Sequence, residues 1–250
     1  MKTIRLAFSI SLLSSLLFSS CVGPVASRYE TAHTLGKGKL EIAGGIAQYE
    51  PRARSGQTRV DQYQVFGGRI GYGITDQVDA KLRYERLLLP DEFDATVNYL
   101  ELYSKTRITD DESVVQYSTL QGIDFHFLKD GVEPTRTAVA LSLTNMISYQ
   151  ADEIFEAALS MQTRYFLSFD PDLLDLDFEN VDLEVYRDLD RILLAAGIDL
   201  DLNLGFSTDF DRWALRPFVG MGVGYVSPGE IGIYKVVSWN YGLGFSYTFP

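Results

Sequence analysis

Val237-Ser238-Trp239-Asn240-Tyr241-Gly242-Leu243-Gly244-Phe245-Ser246-Tyr247-Thr248-Phe249 is an unbroken alternation. In an extended strand successive side chains point to opposite faces. One face therefore carries Val237, Trp239, Tyr241, Leu243, Phe245, Tyr247 and Phe249, all apolar or aromatic. The other carries Ser238, Asn240, Gly242, Gly244, Ser246 and Thr248, all small or polar. A strand on the surface of a water-soluble sandwich shows long charged side chains to solvent, and this one has none. The small face suits a crowded interior and the apolar face a lipid exterior, which is the polarity of a transmembrane barrel.

The same arithmetic extends upstream. In 192–206, Ile192, Leu194, Ala196, Ile198, Leu200, Leu202, Leu204 and Phe206 oppose Gly197, Asp199, Asp201, Asn203 and Gly205. In 215–226, Pro217, Val219, Met221, Val223 and Tyr225 oppose Gly220, Gly222 and Gly224. In 78–86, Val78, Ala80, Leu82 and Tyr84 oppose Asp79, Lys81, Arg83 and Glu85. Segments 115–127 and 157–169 alternate in the same way, and weaker alternation lies near 40–49, 62–74, 97–107 and 136–147. The expectation is an all-β chain forming an antiparallel up-and-down barrel of about ten strands, within a range of about eight to twelve.

Connections alternate in length. Gly73-Ile74-Thr75-Asp76, Ile108-Thr109-Asp110-Asp111, Tyr149-Gln150-Ala151-Asp152 and Ser207-Thr208-Asp209 are short, and their Asp and Ser side chains can satisfy turn amides. Longer polar stretches near 50–61, 88–96, 128–134, 170–190 and 227–235 separate them. Tight turns at one end and long loops at the other are the asymmetry of an outer-membrane barrel, and an even strand count puts both termini at the turn end. Pairing 172–178 with 181–187 as two further strands would raise the count to about twelve.

The N-terminus reads as an export signal, expected over 1–20. Lys2 and Arg5 supply the positive flank, Leu6 to Phe18 the apolar run, and Ser19 and Ser20 the small residues before cleavage. Cys21 follows and is the only cysteine, so no internal disulfide explains it. Leu17-Phe18-Ser19-Ser20-Cys21 resembles a bacterial lipobox, with Phe18 where Leu is usual. The resemblance implies lipidation at Cys21; cleavage that leaves an ordinary thiol is the other reading. Residues 21–38 then form a tether and 39–250 the barrel.

Tyr241 to Phe249 resembles the terminal-strand assembly signal of the bacterial outer-membrane β-barrel superfamily, porin-like and OmpA-like small barrels included. Here Pro250 follows the last aromatic residue. Thr34-Leu35-Gly36-Lys37-Gly38 leading to Arg69-Ile70-Gly71-Tyr72-Gly73-Ile74-Thr75-Asp76-Gln77-Val78-Asp79 is similar to the opening strands of many such barrels. The resemblance implies export through the Sec pathway to a Gram-negative outer membrane. It also implies the assembly machinery as a partner, recognising Tyr241, Phe245, Tyr247 and Phe249, with lipid and lipopolysaccharide as surroundings. It carries no activity.

Composition agrees with strands. Mean hydropathy is −0.02, and after the first 20 residues no apolar run approaches the ~18 residues a spanning helix needs. Net charge is −12 at pH 7, and loss of Lys2 and Arg5 makes it two units more negative. A polyanion needs basic surface, so nucleic acid is excluded as a partner. No P-loop, dinucleotide fingerprint, metal-ligand cluster or G-x-S-x-G occurs, and no catalytic residue, cofactor or metal is assigned.

Three constellations remain. Arg69, Asp79, Lys81, Arg83, Glu85, Glu101, Lys105, Arg107, Arg164, Asp199 and Asp201 fall on inward faces. They fill the lumen with mutual ion pairs or line a narrow path for small polar solutes; burial of either kind demands pairing. His126 shares a face with Asp124, the geometry of an oriented base, against the plainer reading of a satisfied polar pair. The acidic stretch 170–190 is a solvated hairpin, or a Ca²⁺ site built from its carboxylates; it lacks the Gly-bearing spacing of a dedicated calcium loop.

The function expected is an outer-membrane protein of structural, surface-interaction or narrow-pore type, without catalysis. One alternative is an outer-membrane hydrolase using His126 and Asp124. Another is a soluble periplasmic barrel binding an apolar ligand, which requires the aromatic face of 237–249 to point inward.

Overall fold

The last strand pairs on both edges. In the computed structural model, Leu40 lies opposite Phe249 and Gly45 opposite Gly244 on one side of it, while Trp213 lies opposite Tyr247 on the other. The first and last strands are therefore paired, and the sheet closes on itself. The structure describes residues 29–53, 63–88, 95–110, 113–130, 136–151, 154–168, 192–210, 212–228 and 234–250.

Ten strands make the barrel: β1 (Leu40–Ala53), β2 (Tyr63–Gly73), β3 (Val78–Leu88), β4 (Ala95–Arg107), β5 (Val115–Asp130), β6 (Arg136–Gln150), β7 (Phe155–Ser168), β8 (Ile192–Phe206), β9 (Trp213–Pro228) and β10 (Tyr234–Phe249). Each pairs antiparallel with its neighbours in sequence, and β1 with β10. Closure leaves no edge with unpaired backbone groups. Among the described residues every regular element is a strand. β7 pairs directly with β8, from Phe155 opposite Phe206 to Tyr165 opposite Ala196. No further strand stands between them in the wall, which counts ten; segment 170–190 itself lies outside the described residues.

The wall is inverted relative to a water-soluble protein. Ile42, Ile46, Phe66, Ile70, Leu82, Tyr84, Leu102, Ile123, Leu159, Leu202, Val219 and Leu243 are exposed on the outside. Trp239, Tyr241, Phe245, Tyr247 and Phe249 are exposed beside them, while Ser238, Asn240, Gly244 and Ser246 of the same strand are buried inside. The aromatic face of β10 thus points outward. That overturns the apolar-ligand alternative, because the lumen beside this strand offers small and polar groups where that reading needs rings.

Short turns close one end. In the β2–β3 turn, Ile74 and Thr75 amides donate to the Val78 carbonyl at 2.9 and 3.1 Å. In the β4–β5 turn, Thr109 Oγ1 donates to Gln116 Oε1 at 2.7 Å and accepts from the Tyr117 amide at 3.0 Å. The chain enters β1 at Leu40 and leaves β10 at Phe249 on this turn side, where the two residues lie opposite each other.

Candidate functional site: an occupied lumen

The described part of the expected tether, 29–38, enters the barrel. Gly36 and Gly38 adopt φ of 85° and 84°, a region that side-chain-bearing residues enter only at a cost. They reverse the chain at the turn-side mouth, where the Gly38 amide donates to the Gly73 carbonyl at 2.8 Å. A side chain at Gly73 would run into the Gly36 carbonyl. The β2–β3 turn grips the segment as well. Thr34 Oγ1 donates to the Asp76 carbonyl at 2.7 Å, and the Lys37 amide to Asp76 Oδ1 at 3.0 Å. The Leu35 amide donates to Asp79 Oδ1 at 3.1 Å.

Further in, the backbone is received by the wall. Ser118 Oγ donates to the Ala32 carbonyl. The Ala32 amide donates to Ser148 Oγ at 3.2 Å, and Asn203 Nδ2 donates to the Glu30 carbonyl at 2.7 Å. Ala32 packs in an apolar seat of Tyr103, Leu120 and Met146. Tyr29, 1% exposed, packs with Ala43, Ala47, Tyr49, Tyr63, Val65, Leu87 and Phe218. Its ring lies over the paired glycines Gly45 and Gly244, where any side chain would meet it.

Glu30, 2% exposed, sits where cations converge. Oε1 accepts from Lys81 Nζ at 2.6 Å and Lys105 Nζ at 3.3 Å; Oε2 accepts from Tyr103 Oη at 2.9 Å and Arg69 Nη1 at 3.5 Å. Glu41 completes the cluster, accepting from Arg69 Nε at 3.1 Å, Arg69 Nη2 at 3.0 Å and Lys81 at 3.0 Å. Asp79 lies 3.8 Å from Lys81. A buried charge is tolerated only when paired and hydrogen-bonded, and here three cations meet three carboxylates.

A second network fills the other half. Arg83 pairs with Glu85 and lies 3.7 Å from Glu101. Arg164 donates to Asp124 at 3.0 Å, Asp199 at 2.9 Å and Gln162 at 2.6 Å. Ser142 Oγ donates to Asp124 Oδ1 at 2.9 Å. The Arg83 and Arg164 guanidinium carbons each lie 5.8 Å from the Tyr99 ring centre, within cation–π range. Toward the turn side, Arg216 reaches Glu156 at 3.1 Å, and His33 lies 3.4 Å from the same carboxylate.

The inward charges read from sequence divide between these networks. Arg69, Lys81 and Lys105 join Glu30; Arg83, Glu85, Glu101 and Arg164 join Tyr99. Asp201 and Arg107 are buried, and the Asp199 side chain is 28% exposed. Asp124 is bound by Arg164 and Ser142, and the His126 ring sits edge-on to Tyr99 with centres 5.0 Å apart. Both side chains are buried in this packed interior. Among the described residues no group of His, Cys, Asp and Glu could hold a metal ion. Cys21 and the acidic stretch 170–190 lie outside the described residues.

Glu30, Glu41, Tyr103 and Phe218 were missed. The readable signal was an imbalance: in the turn-side half of β2–β4, Arg69, Lys81 and Lys105 face inward beside Asp79, while the other inward carboxylates of those strands, Glu85 and Glu101, lie farther from the turns. A further anion had to come from elsewhere.

These features define a closed, ten-stranded up-and-down barrel, apolar outside, with a charged lumen occupied by its own N-terminal segment. Among solved structures it is similar to outer-membrane proteins. Neisserial surface protein A is 11% identical, with 85% of this chain and all of that one covered and a TM-score of 0.39. The outer-membrane protease OmpT from Escherichia coli is 10% identical, covering 89% of this chain and all of that one at a TM-score of 0.42. The translocator domain of autotransporter NalP from Neisseria meningitidis is 9% identical, covering 84% and 88% at 0.44. No family model and no curated protein matches the chain.

Proposed function

We propose that this chain is an outer-membrane protein of structural or surface-interaction type, whose barrel is a non-conducting scaffold that holds its long loops at the cell surface. The observation that carries the membrane assignment is the polarity of the wall. Leu243, Phe245 and Ile46 are exposed outside, while Glu30, Lys81 and Arg83 are buried within. An exposed apolar belt of this extent is unfavourable in water and required in lipid.

Within that class, the occupied lumen supports presentation over a narrow transport path. A path for solutes needs water along the axis, and Tyr29, Glu30 and Ala32 stand there, with the Glu30 carboxylate and the Ala32 backbone held by the wall. The reading includes Sec-dependent export, lipidation at Cys21, and recognition of the outward aromatic face Tyr241–Phe249 by the assembly machinery. Lipopolysaccharide surrounds the loops, and the carboxylates of 170–190 would bind Ca²⁺ there if that stretch is more than a solvated hairpin. It assigns the barrel no catalysis.

Fractionation with heat-modifiability tests the membrane assignment. The unboiled protein should stay in the outer-membrane fraction and migrate faster than the boiled protein; a soluble periplasmic protein without a mobility shift would sink it. Planar-bilayer recording tests the closed lumen: a bare baseline is expected, and steady single-channel steps would put the narrow-pore reading in its place.

A further inference from the structure

The ion pairs of the second network stay within the wall, as Arg83 with Glu85 along β3 and Arg164 with Asp124 across β7 and β5. Glu30 differs in kind. Its carboxylate arrives on a segment threaded through the mouth, and the groups that receive it all belong to the wall.

We propose that Arg69, Lys81, Lys105 and the Tyr103 hydroxyl form a carboxylate-binding site in the turn-side half of the lumen, which Glu30 fills as a tethered occupant and which a small free carboxylate takes when that side chain is withdrawn.

Three observations carry this. The donors are distributed as a carboxylate requires, two to each oxygen: Lys81 and Lys105 on Oε1, Tyr103 and Arg69 on Oε2. A carboxylate offers about four lone-pair directions, so the set is complete. A phosphate is disfavoured, because its further oxygen would face the Glu41 carboxylate, which holds the same Arg69 and Lys81.

The wall is also shaped for the cluster. Gly71 stands opposite Glu41 in β1 and Lys81 in β3. A Cβ there would lie 3.2 Å from Glu41 Oε2 and from Lys81 Cε. The missing side chain is the space in which those charges meet.

Third, the site is reached from the mouth. A polar cavity of about 300 Å³ is lined by Glu30, Glu41, Arg69, Lys81, Lys105 and Arg107. Without Glu30 the carboxylates paired with the three cations, among the described residues, are Glu41 and Asp79. The site is then one positive charge in excess, which a small monoanion neutralises.

The test uses full-length protein in detergent micelles, with the temperature at which the unboiled mobility is lost as the readout. Glu30→Ala removes what acetate can replace. The midpoint should fall by about 10 °C, as expected for a buried charge cluster stripped of a partner. Sodium acetate should recover at least half of the loss and saturate, whereas sodium chloride at equal ionic strength should not. Wild type, its site filled, should respond equally to the two salts. Glu30→Gln keeps the volume and should refuse acetate.

Equal effects of acetate and chloride on Glu30→Ala, an unchanged midpoint in that variant, or acetate recovery of Glu30→Gln as large as that of Glu30→Ala would each overturn the site. If Glu30→Ala does not assemble, refolding yield from denaturant replaces the midpoint. Acetate should raise the yield above chloride, and equal yields would overturn the proposal. The readout needs no membrane, so the site can fail while the proposed function stands, and the reverse.

Discussion

Lys81 Nζ lies 2.6 Å from Glu30 Oε1, so a cation of the barrel wall holds a carboxylate 51 positions earlier in the chain. The same ammonium lies 3.0 Å from Glu41 Oε2. One side chain of β3 thereby joins the threaded segment to the first strand. Removing one member of a buried pair leaves the other charged and unsatisfied, a loss of about 3–5 kcal/mol.

Lys81→Met should therefore destabilise the folded barrel by about 3–5 kcal/mol. Lys105→Met should cost less, since its contact with Glu30 is 3.3 Å against 2.6 Å. Urea unfolding in micelles, followed by tryptophan fluorescence, measures both. Equal losses in the two variants would mean that Lys81 does not bridge the two carboxylates.

The Tyr29 ring makes a sharper test of the threading. Gly45 and Gly244 stand opposite each other under it, and a Cβ on Gly45 would come within 2.9 Å of Tyr29 Cε1. At Gly244 the obstruction is the root of the tyrosine side chain, which cannot swing away. Gly244→Ala should cost about 1–3 kcal/mol by overpacking. Combined with Tyr29→Ala it should cost at least 1 kcal/mol less than the two single losses together, a coupling of about the size seen for residues in contact. Strict additivity would show that Tyr29 does not lie on these glycines.

How far this was legible in the sequence depends on what each residue touches. The strands were readable because alternation is a local property: Trp239 to Phe249 declares two faces without reference to any partner. The turns were readable for the same reason, through Asp76, Asp110 and Asp209. The inward charges followed from parity alone. Glu30 was not readable in that way, since Tyr29-Glu30-Thr31-Ala32 has no periodicity and its partners come from β2, β3, β4 and β8. The interior apolar seats, Phe218 beside Tyr29 and Leu120 beside Ala32, were missed on parity's own logic. Parity assigns a face, and an apolar residue on the inner face has meaning only once something is known to lie against it.

The outer face gives a prediction that depends on depth. Ile46 stands mid-strand on β1, 54% exposed, whereas Ile74 is equally exposed in the β2–β3 turn. In water an arginine at either site would be tolerated alike. In a bilayer Ile46→Arg should cost about 2–4 kcal/mol and Ile74→Arg no more than about 1 kcal/mol. Unfolding of the two variants from lipid vesicles decides it, and equal small losses would tell against lipid around β1.

His33 ties pH to the threaded segment. It lies at the turn-side mouth, 3.4 Å from Glu156, and burial holds its imidazole neutral, with a pKa below the ordinary 6.5. Glu156 pulls the other way; Lys105, Arg216 and Arg107 add to the depression. In the unfolded chain the ring titrates near its ordinary value. Below about pH 6.5 the unfolded state therefore binds a proton that the folded state refuses, and stability is lost as the pH is lowered. Above about pH 6.5 neither state binds it, and the contribution is fully present. The unfolding midpoint in micelles should thus decline between about pH 7.5 and about pH 5.5, more steeply in wild type than in His33→Gln. The difference between the two slopes isolates His33 from every other titrating group. Identical slopes would mean that the ring accepts its proton beside Glu156 as readily in the fold as out of it, and that the mouth is wetter than the packing of residues 29–35 implies.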